Sequence, residues 1–190
     1  MTDIDPGFIL KSRYKVLDLL GKGGMGEVYL AEDQSLANQV AVKVNHNLSP
    51  NASAQFIREA RLLASLKHPN LPRVIDYFTE NDSQYLVMDF IPGENLRTIV
   101  EQKTPLSTPL ILQWAEQLGN ALSYLHSQNP PIYHRDIKPA NIKITPKGEV
   151  ILVDFGIAKT GEASQETLSG AWGYTPGYAP PEQVSGLRTG

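Results

Sequence analysis

The sequence predicts an α+β chain in two lobes: an antiparallel sheet with one helix over roughly the first ninety residues, then a mainly helical remainder. Three observations carry that prediction. Residues 38–45 alternate strictly, with Val40, Val42 and Val44 on one side and Ala41 and Lys43 on the other, the period of a strand. Further short apolar runs up to Asp89 are separated by glycine or polar turn signals. After Pro92-Gly93 the apolar residues recur every three to four positions instead, the period of an amphipathic helix.

In order along the chain, Tyr14 to Leu20 and Glu27 to Asp33 read as strands flanking a glycine cluster, and Asn38 to Asn45 as a third. Residues 53–67 are helical in pattern, with Phe56, Ala60, Leu63 and Ala64 on the buried stripe; Lys67-His-Pro-Asn70 ends the helix, since proline disfavours helix in its predecessor. Strands follow at Arg73 to Thr79 and Gln84 to Asp89, joined by the polar turn Glu80-Asn-Asp-Ser83. A short helix is expected over Leu96 to Gln102. A longer one opens at Ser107-Thr108-Pro109, a hydroxyl cap with proline in the first turn, and buries Ile111, Ala115, Leu118, Leu122 and Leu125. The Pro92-Gly93 region reads as a hinge, and two lobes this small imply a shared cleft. The expected organisation is an N-terminal extension over 1–13, a first lobe over about 14–91 and part of a second over about 92–190.

Composition narrows the function. The chain has 190 residues, 41% of them hydrophobic and 19% charged, enough to build a core. Seventeen Lys and Arg against twenty Asp and Glu leave a formal charge of −3, the wrong balance for a broad nucleic-acid-binding face. The absence of cysteine rules out disulfides, thiolate metal sites and thiol nucleophiles, and fits a reducing compartment. The acidic start lacks the order of a signal peptide, and even Val150-Ile-Leu-Val153 is stopped at once by Asp154. The expectation is a cytoplasmic location, or the cytoplasmic portion of a longer protein anchored in a membrane by sequence elsewhere.

Gly21-Lys-Gly-Gly-Met-Gly26 lies between two strands. Such a run is read either as an ordinary hairpin turn or as a loop whose N–H groups approach a phosphate. A dinucleotide site is excluded, because Val28-Tyr-Leu30 continues as a strand where a helix is required. Lys43, inside an apolar strand, must snorkel, find a counter-charge or meet an anionic ligand. Glu59 on the following helix is a candidate partner, unless it pairs locally with Arg58 or Arg61. Between Asn141 and Asp154 the sequence reads as a β-hairpin, Ile142-Lys-Ile144 and Glu149 to Val153 joined by Thr145-Pro-Lys-Gly148. The hairpin brings Asn141 and Asp154 together as oxygen donors for a hard cation such as Mg²⁺, with Asp136 at the same edge. His46, His68, His126 and His134 lack metal-ligand spacing and read as capping or core residues. Trp114 and Trp172 offer no base-stacking platform.

Taken together, His134-Arg-Asp-Ile-Lys-Pro-Ala-Asn141, Asp154-Phe-Gly156, the glycine run and Val40-Ala-Val-Lys43 make a sequence that resembles a eukaryotic-type protein kinase, most similar to the bacterial Ser/Thr kinases. The resemblance covers about residues 14 to 186 and implies a bilobal kinase-like fold. It also implies a role for each site residue, through the way that family handles phosphoryl transfer. Leu20, Gly21, Lys22, Gly23, Gly24, Met25, Gly26, Glu27 and Val28 correspond to the loop over the ATP phosphates and adenine. Ala41, Met88, Asp89, Ile91 and Lys143 would surround the adenine. Lys43 would hold the α- and β-phosphates with Glu59 as its helix partner, Asp136 would be the base toward the substrate hydroxyl, and Lys138 would accompany the transferred phosphate. Asn141 and Asp154 would ligate Mg²⁺, for which Mn²⁺ is an expected substitute.

The resemblance further implies protein substrates with Ser or Thr acceptors. Arg135 would dock a phosphorylated activation loop, with Thr160, Ser164, Thr167 and Ser169 as available acceptors. Thr175 would orient Asp136 and Lys138. His134 and Phe155 would join Leu63 in an apolar stack. Two departures stand out. Lys143 occupies a position where the family has an apolar residue beneath adenine, so adenine packing is expected to differ. The family's later helices do not follow Glu182, so the chain is expected to be a truncated kinase domain, poorly stable alone, with apolar surface on the 109–127 helix uncovered. The alternative function is an inactive fragment serving as a nucleotide-binding or interaction module. Substrate, upstream signal and oligomeric state are left open.

Overall fold

The computed structural model describes residues 4–23, 26–134, 136–154, 159–160, 177–178 and 181. The chain divides into two compact units: residues 1–67 with 72–91, and residues 68–71 with 92–190.

The first unit is a six-stranded antiparallel sheet with one helix. Its strands are β1 (Ile9–Leu10), β2 (Tyr14–Gly23), β3 (Gly26–Asp33), β4 (Asn38–Asn45), β5 (Val74–Glu80) and β6 (Ser83–Asp89), in the order β1-β2-β3-β4-β6-β5. Residues before Tyr14, set apart in the sequence as an extension, supply the edge strand β1, and Leu10 is fully buried. Alternation explains the core. Tyr29 and Ala31 of β3 and Val40, Val42 and Val44 of β4 point to one face, where they pack with Leu10, Tyr14, Val16, Phe78, Tyr85 and Val87. Asn81 and Asp82, both at positive φ (+47° and +53°), make the two-residue β5–β6 turn, a conformation Asn and Asp tolerate better than most side chains. The sheet curls until its outer strands meet. Lys11 Nζ, in the β1–β2 turn, lies 2.8 Å from Asp76 Oδ2 on β5, and Tyr14 Oη donates to the same oxygen at 3.0 Å. Tyr14, Phe78 and Tyr85 stack across this closure.

Helix α1 (Pro50–Ser65) covers the other face of β5 and β6 with Phe56, Ala60 and Leu63. It starts three residues before the predicted point, because Pro50 is preset for the first helical turn behind an extended Ser49. The buried stripe is also displaced. Ala64 is exposed and Glu59 is buried in its stead.

The second unit contains β7 (Glu94–Asn95), α2 (Leu96–Glu101), α3 (Thr108–His126), β8 (Ile132–Tyr133), a 3-10 turn over Pro139–Asn141, β9 (Ile142–Ile144), β10 (Val150–Leu152) and β11 (Lys159–Thr160). Small antiparallel sheets form in the orders β10-β9-β7 and β11-β8. Asn95 caps α2, its Oδ1 accepting from Thr98 N at 2.9 Å. Gly93 has φ +101°, and a Cβ there would collide with the Ile144 carbonyl, so this turn requires glycine to pack on β9.

The stripe predicted for α3 needs correction. Ala121 and Leu125 are buried and Leu118 and Leu122 half-buried, but Ala115 is exposed and Ile111 and Leu112 are 47% and 64% exposed. Polar packing replaces apolar packing along the first half of the helix. Gln117 Oε1 accepts from Val150 N at 2.9 Å and from Asn70 Nδ2 at 3.1 Å, and Trp114 Nε1 donates to Gly148 O at 3.2 Å.

Candidate active site

In the first unit, β4 carries Lys43 between Val42 and Val44, which face the core, so Lys43 faces the side that α1 covers. Its Nζ lies 2.9 Å from Glu59 Oε1, and both side chains are 6% exposed. Of the three fates open to this lysine, the geometry selects the counter-charge; Arg58 and Arg61 are exposed. Burial of two opposite charges is tolerated because each satisfies the other.

The glycine-rich segment is the β2–β3 hairpin, with Lys22 opposite Glu27 and Gly23 opposite Gly26. Gly24 and Met25 lie outside the described residues. Gly26 has φ +111°, and a Cβ on it would strike the Val44 carbonyl, so the fold itself requires glycine there. Gly21 has open space around it and Leu20 is 46% exposed. Register then sorts the remaining candidates by face. Gly21 is opposite Val28, Val28 opposite Lys43, and Leu30 opposite Ala41, which is opposite Met88. Gly21, Val28, Ala41, Lys43 and Met88 therefore share one surface. Lys22, Glu27 and Asp89 fall on the other. Asp89 Oδ2 accepts from Arg73 Nε at 2.9 Å, and Ile91 is half-buried beyond the end of β6.

In the second unit, the β9–β10 hairpin sets Ile142 opposite Leu152 and Ile144 opposite Val150. Its turn closes through Gly148 N to Thr145 O at 2.8 Å. One residue beyond, Val153 N donates to Asn141 O at 2.9 Å, which brings Asp154 beside Asn141. The 134–141 segment folds onto this end. Asn141 Nδ2 donates to both the carbonyl and Oδ2 of Asp136, at 2.8 and 2.9 Å, and Lys138 Nζ lies 2.7 Å from the same Oδ2. Asp154 has φ +60° and an exposed carboxylate with no hydrogen-bond or ion-pair partner among the described residues. Lys143 on β9 is half-buried between Asn95 and Ile151, and burial lowers its pKa.

Three residues missed in the sequence as site supports emerge here. His134, read as part of an apolar stack, is 2% exposed and makes polar contacts at both ring nitrogens. Its Nδ1 accepts from Asp136 N at 3.4 Å and its Nε2 stands 3.3 Å from Val153 O. Burial lowers its pKa, which favours a neutral ring protonated at Nε2 that links the Asp136 segment to the strand ahead of Asp154. Asn70, read only as a helix terminator, is 8% exposed; its Nδ2 donates to Val150 O at 2.7 Å and its carbonyl accepts from Leu152 N at 2.9 Å. With Gln117 it holds the edge of β10 opposite β9. A proline-flanked asparagine and a glutamine on an amphipathic helix are ambiguous by pattern alone, since only burial distinguishes them from surface residues.

Among the described residues, Asn141 keeps its Oδ1 without a partner while its amide nitrogen is committed to Asp136, and the Asp154 carboxylate has none either. Among the described residues no three His, Cys, Asp or Glu side chains gather as a metal site. One carboxylate and one amide oxygen suit Mg²⁺, which is commonly held by few protein oxygens together with substrate phosphates, and do not suit an all-protein zinc or calcium cage. Arg135, Phe155, Gly156, Ser164, Thr167, Ser169, Thr175 and Glu182 lie outside the described residues; Thr160 ends β11.

Comparison with known proteins finds relatives over nearly the whole chain. The protein kinase domain family matches residues 14–190. The chain is 39% identical over 188 residues to the serine/threonine-protein kinase PknA of Mycobacterium tuberculosis, covering 95% of this chain and 43% of the relative. It is 36% identical over 180 residues to PrkC of Bacillus subtilis, covering 93% and 28%. The chain thus spans less than half the length of these curated relatives. A solved structure described as "PpkA-294 apo form" superposes with a TM-score of 0.76 at 29% identity, covering 96% of this chain and 72% of that one.

Proposed function

Since the chain belongs to the protein kinase domain family, we propose that it serves a serine/threonine protein kinase, transferring the γ-phosphoryl group of ATP to Ser or Thr hydroxyls of protein substrates. The observation that carries this reading is the cluster at Asp136, where Lys138 and Asn141 converge on one carboxylate oxygen at 2.7 and 2.9 Å with Asp154 adjoining. The named relatives are serine/threonine kinases, which supports the acceptor class.

Each residue then has a chemical task. The acceptor hydroxyl gives its proton to the Asp136 carboxylate as its oxygen attacks the γ-phosphorus, and the bond to the β–γ bridging oxygen breaks to release ADP. Lys138, already paired with Asp136, offsets the negative charge on the transferred group. Lys43 binds α- and β-phosphate oxygens, and Glu59 keeps its ammonium aimed. Backbone N–H groups of the glycine-rich hairpin cover the phosphates, while Val28, Ala41 and Met88 of the first unit form apolar surface for the base. Mg²⁺, held by Asn141 and Asp154, neutralises phosphate charge when bound. Such catalysis is mainly positioning and electrostatics. Phosphorylation among Thr160, Ser164, Thr167 and Ser169 regulates it, and the reaction takes place in the cytoplasm.

Incubation with labelled ATP, Mg²⁺ and a basic protein substrate tests the reading. Transfer is expected from the wild type, with a loss of about 10²-fold or more in Asp136→Asn and none remaining in Asp154→Ala. Absence of transfer together with retained Mg²⁺-dependent ATP binding would favour a nucleotide-binding module instead.

A further inference from the structure

Glu27 directly follows the glycine-rich hairpin, yet its side chain faces away from the surface shared by Gly21, Val28 and Lys43. It lies on the core side of β3, in line with Tyr29 and Ala31, and is 8% exposed. A carboxylate buried at the end of a sheet needs partners, and side chains from three segments meet it. Tyr29 Oη donates to Oε2 at 2.6 Å, Lys22 Nζ from the hairpin lies 3.0 Å from Oε1, and His46 Nε2 stands 3.3 Å from Oε2. The Tyr29 bond leads in holding the Glu27 pKa down to about 2 against the opposing effect of burial, assisted by Lys22 and His46. Glu27 is therefore a fixed negative charge at neutral pH.

The chain of contacts continues. His46 Nδ1 lies 2.9 Å from the buried Ser83 Oγ at the start of β6. His46 itself belongs to the connection between β4 and α1, the helix that bears Glu59. The hairpin beyond Glu27 has little packing of its own: Leu19, Leu20, Gly21 and Lys22 are exposed. A hairpin with residues 19–22 exposed loses conformational freedom when a ligand orders it, and an anchored ion pair at its base reduces that loss.

We propose that Glu27 is a positioning residue of the glycine-rich hairpin, anchoring it through Lys22 and joining it through His46 and Ser83 to the connection that leads into α1. Its consequence for ATP rests on the kinase reading above; its consequence for the hairpin does not. Glu27→Gln keeps the shape and removes the charge, and Lys22→Met cuts the same link from the exposed side should the buried change prevent folding. Two measurements on the whole chain decide the matter: Mg·ATP affinity with the KM and kcat of transfer, and amide exchange over residues 20–28 and 46–52.

The expected result is a rise of about five- to tenfold in the ATP dissociation constant and KM, with kcat within about twofold. Faster exchange is confined to the two segments and absent from residues 121–125. The double variant is no worse than Glu27→Gln alone, because the two side chains act as one pair. Unchanged exchange in both segments would overturn the proposal. So would a uniform loss of protection across the first unit, which marks a residue that merely stabilises the fold. Should the wild type bind no nucleotide, the kinase reading fails, and the exchange comparison still decides the role of Glu27.

Discussion

Replacing Lys43 by Met leaves the Glu59 carboxylate buried without a counter-charge, which costs about 3–5 kcal/mol. Replacing both partners, as Lys43→Met with Glu59→Leu, removes that penalty. The double variant is therefore expected to regain most of the stability lost by the single one while still failing to bind ATP productively. Urea unfolding midpoints and nucleotide titration of the wild type and the two variants check this; a double variant as unstable as Lys43→Met would contradict it. At this scale the sequence was informative where chemistry constrains residue type. A lysine within Val40-Ala-Val-Lys43 demanded a partner, and Glu59 was a nameable candidate. Glu27 was harder to read, because spacing placed it in a phosphate-binding segment whereas the strand register turns its side chain to the opposite face.

Among the elements, the β9–β10 hairpin was legible because alternation, a turn glycine and the flanking Asn141 and Asp154 all pointed the same way. Helix α3 was not, because its contact with β10 runs through Gln117 and Asn70, and an amphipathic template counts only apolar residues. That polar contact has a measurable consequence. Asn70→Ala strands the Val150 carbonyl and one acceptor site of Gln117, at a cost of about 1–3 kcal/mol. Because β10 delivers Asp154, phosphoryl transfer is expected to fall several-fold while affinity for ATP without metal changes little. Amide exchange over residues 142–153 should quicken in the same variant. Unaltered exchange there would show that Asn70 does not brace the strand. The start of α1 carries the same lesson in milder form: Ser49-Pro50 is the kind of signal used to place α3, but it fell outside the apolar repeat.

For the molecule as a whole, the paired carboxyls of the first unit set its response to strong acid. The Arg13 hydrogen bonds, at 2.8 and 2.7 Å, hold the Asp33 carboxyl below its ordinary range despite full burial. Burial pushes Asp76 upward, but Lys11 and Tyr14 outweigh it and the net shift is down. Glu27 sits near 2. Carboxyls that bind protons less readily folded than unfolded contribute stability that is whole above the ordinary carboxylate pKa and disappears as pH falls through the folded values. The unfolding midpoint should accordingly decline gently from about pH 7 to 5, as the unfolded chain protonates His134 and His68, whose folded pKa values burial lowers, and drop steeply between about pH 4.5 and 2. Asp33→Asn should lower the midpoint at pH 7 and flatten the acid limb, as followed by far-ultraviolet circular dichroism. An acid limb equal to that of the wild type would remove Asp33 from the account.

The curl of the first sheet has a further consequence for association. A sheet of six strands ordinarily presents two free borders, each a row of unused backbone donors and acceptors on which a foreign strand can grow. Here one border, β1, is two residues long, and the other, β5, is met by Lys11 and Tyr14 from the β1–β2 side. A newcomer pairing with β5 would have to displace an ammonium and a phenol from Asp76 and a backbone N–H from Glu80. The same contacts that bend the sheet thus guard it, and guard it electrostatically, so raised salt should loosen the seam and expose β5 to strand addition before the core of the sheet gives way.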